Sequence, residues 1–255
     1  MVTVRAVVRR LLPPRIRLGL RRLVERPPAV STPVAVARDP SRHGPNEADG
    51  IRRVHVGCGP TNQPPDWWNV DIREFPGVDQ VVDATRAWPW TDLDAVYGEH
   101  FIEHLPLEGA LQFANEAARA LRPGGVLRLS TPGLEHVWVT HFHPSQDRAP
   151  ETVVMETYMT NRAFHGWGHE FLYSKPMLER LLLGAGFDDL TFHDYGASDR
   201  PELRDLEKHP GWDHVEGWPS LWIVEAVRKP GDPQIDAAVA AEIETEYVRY
   251  VRSGH

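Results

Sequence analysis

Short apolar runs ending in polar residues recur at close spacing through the middle of the chain. Val54-His55-Val56 stops at Gly57-Cys58-Gly59. Trp67-Trp68-Asn69-Val70-Asp71 and Val78-Asp79-Gln80-Val81-Val82-Asp83 each end in aspartate, and Leu93-Asp94-Ala95-Val96-Tyr97 runs into Glu99-His100. Bounded by Gly, Pro and polar residues, these runs predict four successive strands with polar residues at their carboxyl ends. The pattern then changes period: Leu107, Leu111, Ala114, Ala118 and Leu121 share one face, which predicts a helix over 105–121. Arg122-Pro123-Gly124-Gly125 stops it, and Val126–Ser130 is a further strand.

Between Leu134 and Tyr173 the alternation pauses in a segment rich in histidine and aromatics, with one helix near 151–161. Ser174 is placed to cap a helix that has Pro176 in its first turn and closes at Gly184-Ala185-Gly186. Leu190–Tyr195 and Ser220–Val227 are strand-like, and a polar helix over 233–251 follows. Strands alternating with helices predict an α/β fold with a mostly parallel sheet, whose ligands bind beyond the carboxyl ends of the strands.

Composition narrows this picture little; charge placement changes it more. The 255 residues, 41% hydrophobic, suffice for one principal domain. Cys58 stands alone, which excludes an internal disulfide framework and a cysteine-rich zinc site and makes a reducing cytoplasm the default expectation. Residues 1–26 hold eight arginines against Glu25 alone, a net +7 that leaves −15 on the rest of a chain whose total is −8. An acidic body argues against nucleic acid as the partner. The basic arm has no apolar run of about 18 residues and so no membrane span; it fits contact with an anionic membrane face or a partner enzyme, beside the plainer reading of a solvated arm. Residues 27–50 read as a Pro-, Ser- and Gly-rich linker, 51–229 as the main domain with an insert at 134–173, and 230–255 as a terminal helix. The oligomeric state is left open.

The turn Gly57-Cys58-Gly59 lets backbone approach a ligand closely, although Asn62 stands where a dinucleotide fingerprint needs its third glycine. Taken in order, Val56-Gly57-Cys58-Gly59, Trp68-Asn69-Val70-Asp71, Val82-Asp83-Ala84, Glu99-His100-Phe101-Ile102-Glu103-His104-Leu105, Ala120–Leu127 and Leu181–Phe187 resemble the class I S-adenosylmethionine-dependent methyltransferases, in particular the bacterial type 11 group. The resemblance covers roughly residues 52–228. It implies a Rossmann-like sheet of seven strands, order 3-2-1-4-5-7-6 with strand 7 antiparallel, a lid insert after strand 5, and S-adenosylmethionine as cofactor. It further implies that Gly57, Cys58 and Gly59 pass under the methionine part. Asp71, with Ile72 beside it, would read the ribose hydroxyls, Asp83 and Ala84 the adenine, and Glu99 and His100 would lie near the sulfonium. Two departures stand out: His55 occupies a position where the family often has an acid, and the proline-rich 60–66 segment replaces the usual first helix.

His100–His104 also matches H-x-x-E-H, an inverted zinc-protease pattern, but its place between a strand and a helix favours the methyltransferase reading. The histidines of the insert (His136, His141, His143, His165, His169) offer a general base, packing groups or metal ligands. In an extended segment His141 and His143 would face one side. The expected base is His143, then His141, then His169, with His100 as an outside choice; a divalent metal is not favoured. The expected activity is O-methylation of a hydroxyl on a sugar, glycan or secondary metabolite. An N-methyltransferase and a non-catalytic cofactor-binding module are the alternatives.

Overall fold

The computed structural model describes residues 44–45, 52–142, 148–211 and 215–254. The basic arm, nearly all of the linker, and His143 therefore lie outside the described residues. Strands β1 (Arg53–Val56), β2 (Trp68–Asp71), β3 (Gln80–Val81) and β4 (Leu93–Glu99) are followed by a 3-10 turn (Ile102–His104), helix α1 (Leu107–Ala120) and β5 (Leu121–Pro132). Then come α2 (Leu134–His141), α3 (Pro150–His165), a 3-10 turn (Gly166–Gly168), α4 (Lys175–Gly184), β6 (Phe187–His193) and a third 3-10 turn (Pro201–Leu203). The chain continues through β7 (Leu221–Arg228) and α5 (Ala237–Glu242) into a π-helix (Ile243–Arg252). The sheet runs β3-β2-β1-β4-β5-β7-β6, with β7 antiparallel to both neighbours. This is the order the resemblance implies, and no helix separates β1 from β2 among the described residues.

Register assigns each residue to a face. Val54 pairs with Val96 and His55 with Tyr97, so alternate positions point to opposite sides. On one side Val54, Val56, Val96, Leu127 and Leu129 pack with α1, α4 and the C-terminal helix in a single apolar cluster. The terminal helix belongs to this core through Val239, Ile243 and Tyr247. Gly184 permits the approach: a Cβ there would lie 2.8 Å from the Val239 side chain. Its start is set by Asp236, which accepts from the backbone N–H groups of Ala238 and Val239.

The opposite face is covered by loop and carries charge. Trp67, Ala95, Tyr97, Val126, Leu203 and Leu206 form a smaller cluster. Beside it Arg128, fully buried, donates from Nε and Nη2 to both carboxylate oxygens of Glu207 (2.8 and 2.9 Å) and from Nη1 to Glu225 (2.6 Å). The fork geometry of guanidinium suits a bidentate carboxylate. It fixes the segment before β7 across a sheet face that carries, among the described residues, no α-helix.

Most predicted elements shift only at their ends. Ser174 caps α4 as expected, its Oγ accepting from Met177 N. Helix α2 was not predicted, since LEHVWVTH is short and β-branched. Tertiary bonds hold it in place: Leu134 N donates to Tyr173 O, and Glu135 accepts from Lys175 N and Trp222 Nε1. Helical geometry also overturns the extended reading of His141, which ends α2. No helix among the described residues is long and apolar enough to cross a membrane.

Replacing Arg128 by Met should lower unfolding free energy by about 3–5 kcal/mol, the cost of leaving buried carboxylates without their cation. Urea denaturation followed by tryptophan fluorescence measures this; a loss under about 1 kcal/mol would show that water reaches Glu207 and Glu225.

Candidate active site

Sheet order reverses between β1 and β4, the switch point at which open α/β sheets bind ligands in the crevice beyond the carboxyl ends of the strands. Gly57 and Gly59 both have left-handed backbone (φ +63 and +56). A side chain on Gly57 would collide with the Phe101 ring, whereas nothing lies within 4 Å of where a Cβ of Gly59 would stand. The turn is thus packed beneath and open above. It is tied to β2 by Cys58 N donating to Val70 O (3.1 Å) and Gly59 N to Asp71 Oδ2 (3.0 Å). Burial, with the charges of Asp71 and Asp79, pushes the Cys58 thiol up to about 12, so it serves as packing and not as a nucleophile.

Asp71 Oδ1 accepts from Arg73 N (2.9 Å). A carboxylate has about four acceptor sites, so this acid keeps capacity for a ligand. Ile72 beside it is 65% exposed, an apolar side chain standing at the rim of a polar edge. Asp83 accepts from Thr85 Oγ1 (2.7 Å) and Thr85 N (3.0 Å), bonds that hold its carboxyl below the usual range. Ala84 is buried next to it.

Glu99 ends β4 as a buried carboxylate. Its Oε2 accepts from Asn62 Nδ2 (2.6 Å), and its Oε1 accepts from the backbone N–H groups of Lys208 (2.7 Å) and His209 (2.8 Å). Asn62 Oδ1 is left without a partner among the described residues. His55, buried in the same sheet face, stacks on Tyr97 at 4.6 Å. Burial drives its pKa down to about 4, against the opposing charge of Glu99, so a neutral ring stands here.

His100 has left-handed backbone (φ +46), uncommon for a non-glycine residue. Its Nδ1 lies 2.9 Å from Glu103 Oε1, and Glu103 Oε2 accepts from Thr131 Oγ1 (3.1 Å). Burial works against the charged ring, but the hydrogen bond and charge of Glu103 outweigh it and raise the pKa. His209 meets the His100 ring edge-on at 5.5 Å. On the other side of Glu103, His104 and His169 meet edge-on at 5.2 Å.

The predicted residues Gly57, Cys58, Gly59, Asp71, Ile72, Glu99 and His100 thus gather along one edge, with Asp83 and Ala84 following the edge strand β3. His169 joins through His104. His141 sits at the end of α2, bonded to Thr140 Oγ1 (2.7 Å), and burial lowers its pKa. His136 bonds the Trp218 carbonyl (3.0 Å) and is structural. Of the insert's aromatics, Phe171 and Tyr173 join the main core, while Trp138, Tyr158 and Trp167 are more than half exposed. Sequence pattern alone does not mark Glu103, Asn62 or His209 as site residues. The first lay inside the H-x-x-E-H motif; the others carry no sequence signal. A separate cavity, lined by Arg52, Arg53, Asp94, Arg122, Arg200 and Glu202, lies at the amino ends of β1, β4 and β5, away from this crevice.

No protein-family model and no curated protein matches this chain. Among solved structures it is similar to a possible exported protein from Bordetella parapertussis, at 17% identity over 69% of this chain, TM-score 0.41; it spans 61% of that protein's length. It is also similar to a SAM-dependent methyltransferase, possible histamine N-methyltransferase, from Thermotoga maritima (18% identity, 70% of this chain and 82% of that one, TM-score 0.46). A third is an S-adenosylmethionine dependent methyltransferase from Mesorhizobium loti (16%, 69% and 90%, TM-score 0.43). Identities this low and TM-scores below 0.5 leave the functional reading to the chain's own residues.

His55 gives this edge a pH dependence. The folded state keeps the ring neutral to about pH 4, while the unfolded chain protonates it near 6.5. Its contribution is complete above 6.5 and is lost as pH falls toward 4, in total about 3 kcal/mol. Unfolding free energies at pH 7 and pH 4.5 should diverge less in His55→Phe than in the parent chain; an unchanged difference would assign the acid lability to other groups.

Proposed function

We propose that the chain transfers a methyl group from S-adenosylmethionine to a hydroxyl of a small-molecule or glycan acceptor. The observation that carries this reading is the row of acids ending β2 and β4 on either side of an open glycine turn at the sheet's reversal point, next to a histidine held by a buried carboxylate.

The residues fit the cofactor. The open space over Gly59 accommodates a ligand that a side chain would exclude. Asp71 supplies acceptors for vicinal hydroxyls, and exposed Ile72 supplies an apolar surface for a purine. Asp83 would accept from the adenine amino group beside Ala84. Glu99 and Asn62 Oδ1, the latter unpaired among the described residues, would accept from an α-ammonium group. When bound, S-adenosylmethionine supplies a methyl group on a positively charged sulfur, which needs no further activation to leave. The chain's remaining task is to align the acceptor and remove its proton.

His100 is the base in this reading, ahead of His143, His141 and His169. With Nδ1–H donated to Glu103, its Nε2 bears the lone pair that takes the hydroxyl proton, and Glu103 stabilises the imidazolium that results. His141 is bonded to Thr140 at the far end of α2. His169 has its Nδ1 on the Ala163 carbonyl and its ring edge-on to His104.

Calorimetry with S-adenosylmethionine and with its demethylated product tests cofactor binding. Asp71→Ala should weaken both by roughly 10- to 100-fold, the worth of one or two hydrogen bonds to a charged group. No heat with the parent chain at high protein concentration would sink the proposal. Once an acceptor is found, His100→Ala should cut kcat about 10²- to 10⁴-fold with cofactor affinity little changed; full turnover in that variant would remove the base assignment.

A further inference from the structure

We propose that Glu103, His104 and His169 form a site for a divalent cation of the zinc type, distinct from the H-x-x-E-H arrangement that the sequence suggests. That motif needs His100 and His104 on one helical face. Instead His100 is left-handed and bonded to Glu103, and only a three-residue 3-10 turn follows. The second imidazole comes from His169, placed by a left-handed kink at Trp167 and Gly168 (φ +60 and +81). Glu103 O accepts from Glu170 N (2.8 Å) and Phe171 N (3.2 Å), which ties the two segments together.

Ligand atoms of the three residues lie within 4.8 Å of one another. The protonation of both rings follows from their partners. His104 Nδ1 faces the Gly168 carbonyl (3.2 Å) and His169 Nδ1 the Ala163 carbonyl (2.8 Å). A carbonyl can only accept, so each Nδ1 carries a hydrogen, and in the neutral ring each Nε2 carries the lone pair. Metal-binding histidines are oriented in this way, the outer N–H anchored on a carbonyl and the inner nitrogen turned to the ion. Glu103 is buried. Its oxygens accept from Thr131 Oγ1 and contact His100 Nδ1, and they retain further lone pairs. Two imidazoles and one carboxylate therefore converge with no donor among them, an arrangement that a cation relieves.

Two imidazoles with a single carboxylate favour zinc, cobalt, iron or nickel over magnesium or calcium, which prefer oxygen ligands. Three protein ligands leave coordination positions open, next to His100 across Glu103. Cation binding stands independently of the methyl-transfer reading. Only a role in holding an acceptor hydroxyl beside His100 rests on it.

The tag-free full chain, stripped with chelator, would be titrated with Co²⁺ while the visible d–d bands are recorded, and with Zn²⁺ in competition with a chromophoric chelator. One ion per chain is expected. His104→Ala and His169→Ala should each weaken it about 100-fold or more, whereas His165→Ala, at an exposed position, should leave it unchanged. Absence of saturable binding, or an affinity in either histidine variant equal to that of the parent chain, overturns the site. Should those variants fail to fold, long-range ¹H–¹⁵N spectra of the parent chain decide: Nδ1–H tautomers whose Nε2 signals move on adding Zn²⁺ support it, and Nε2–H tautomers or unmoved signals refute it.

Discussion

The architecture of the crevice hangs on one buried carboxylate. Glu99, at the end of the central strand β4, binds Asn62 on the loop after β1 and the backbone of Lys208 and His209 on the segment before β7. A charge in that position requires several donors, because burying it unpaired costs far more than any single contact returns. The donors come from two loops, and the carboxylate ties both to the end of β4. Arg128 completes the arrangement by anchoring Glu207, next to the residues that Glu99 binds.

The two faces of the sheet use different physics. One is an apolar interface in which α1, α4 and the terminal helix pack on valine and leucine, and its stability scales with the area withdrawn from water. The other combines a small apolar cluster with a buried ion triad and a neutral histidine. Charged groups of this kind add position more than stability, since desolvation consumes much of their attraction. Position is what a ligand edge requires.

Histidine chemistry here is decided by what each ring's Nδ1 touches. Glu103 holds His100 and raises its pKa, whereas a carbonyl holds His169 and burial lowers its pKa. Glu103 thus divides two kinds of chemistry within a few ångströms: a ring suited to take a proton on one side, and on the other a pair suited to offer electrons. The strained backbone of His100 is tolerated because its N–H also closes on Ser130 O (2.9 Å).

Much of this was legible in the residues. Apolar runs stopping at Gly57, Asp71 and Glu99 mark strand ends, and Ser174 with Pro176 marks a helix start, because backbone sterics and capping act over a few residues. The carboxyl-end acids were therefore determined by the sequence alone. What the sequence left open was contact between distant segments: Glu99 with His209 across 110 positions and His104 with Gly168 across 64. Tautomer, burial and charge state depend on which groups enclose a ring. Only the tertiary structure assembles that enclosure, from residues whose local patterns carry no trace of one another.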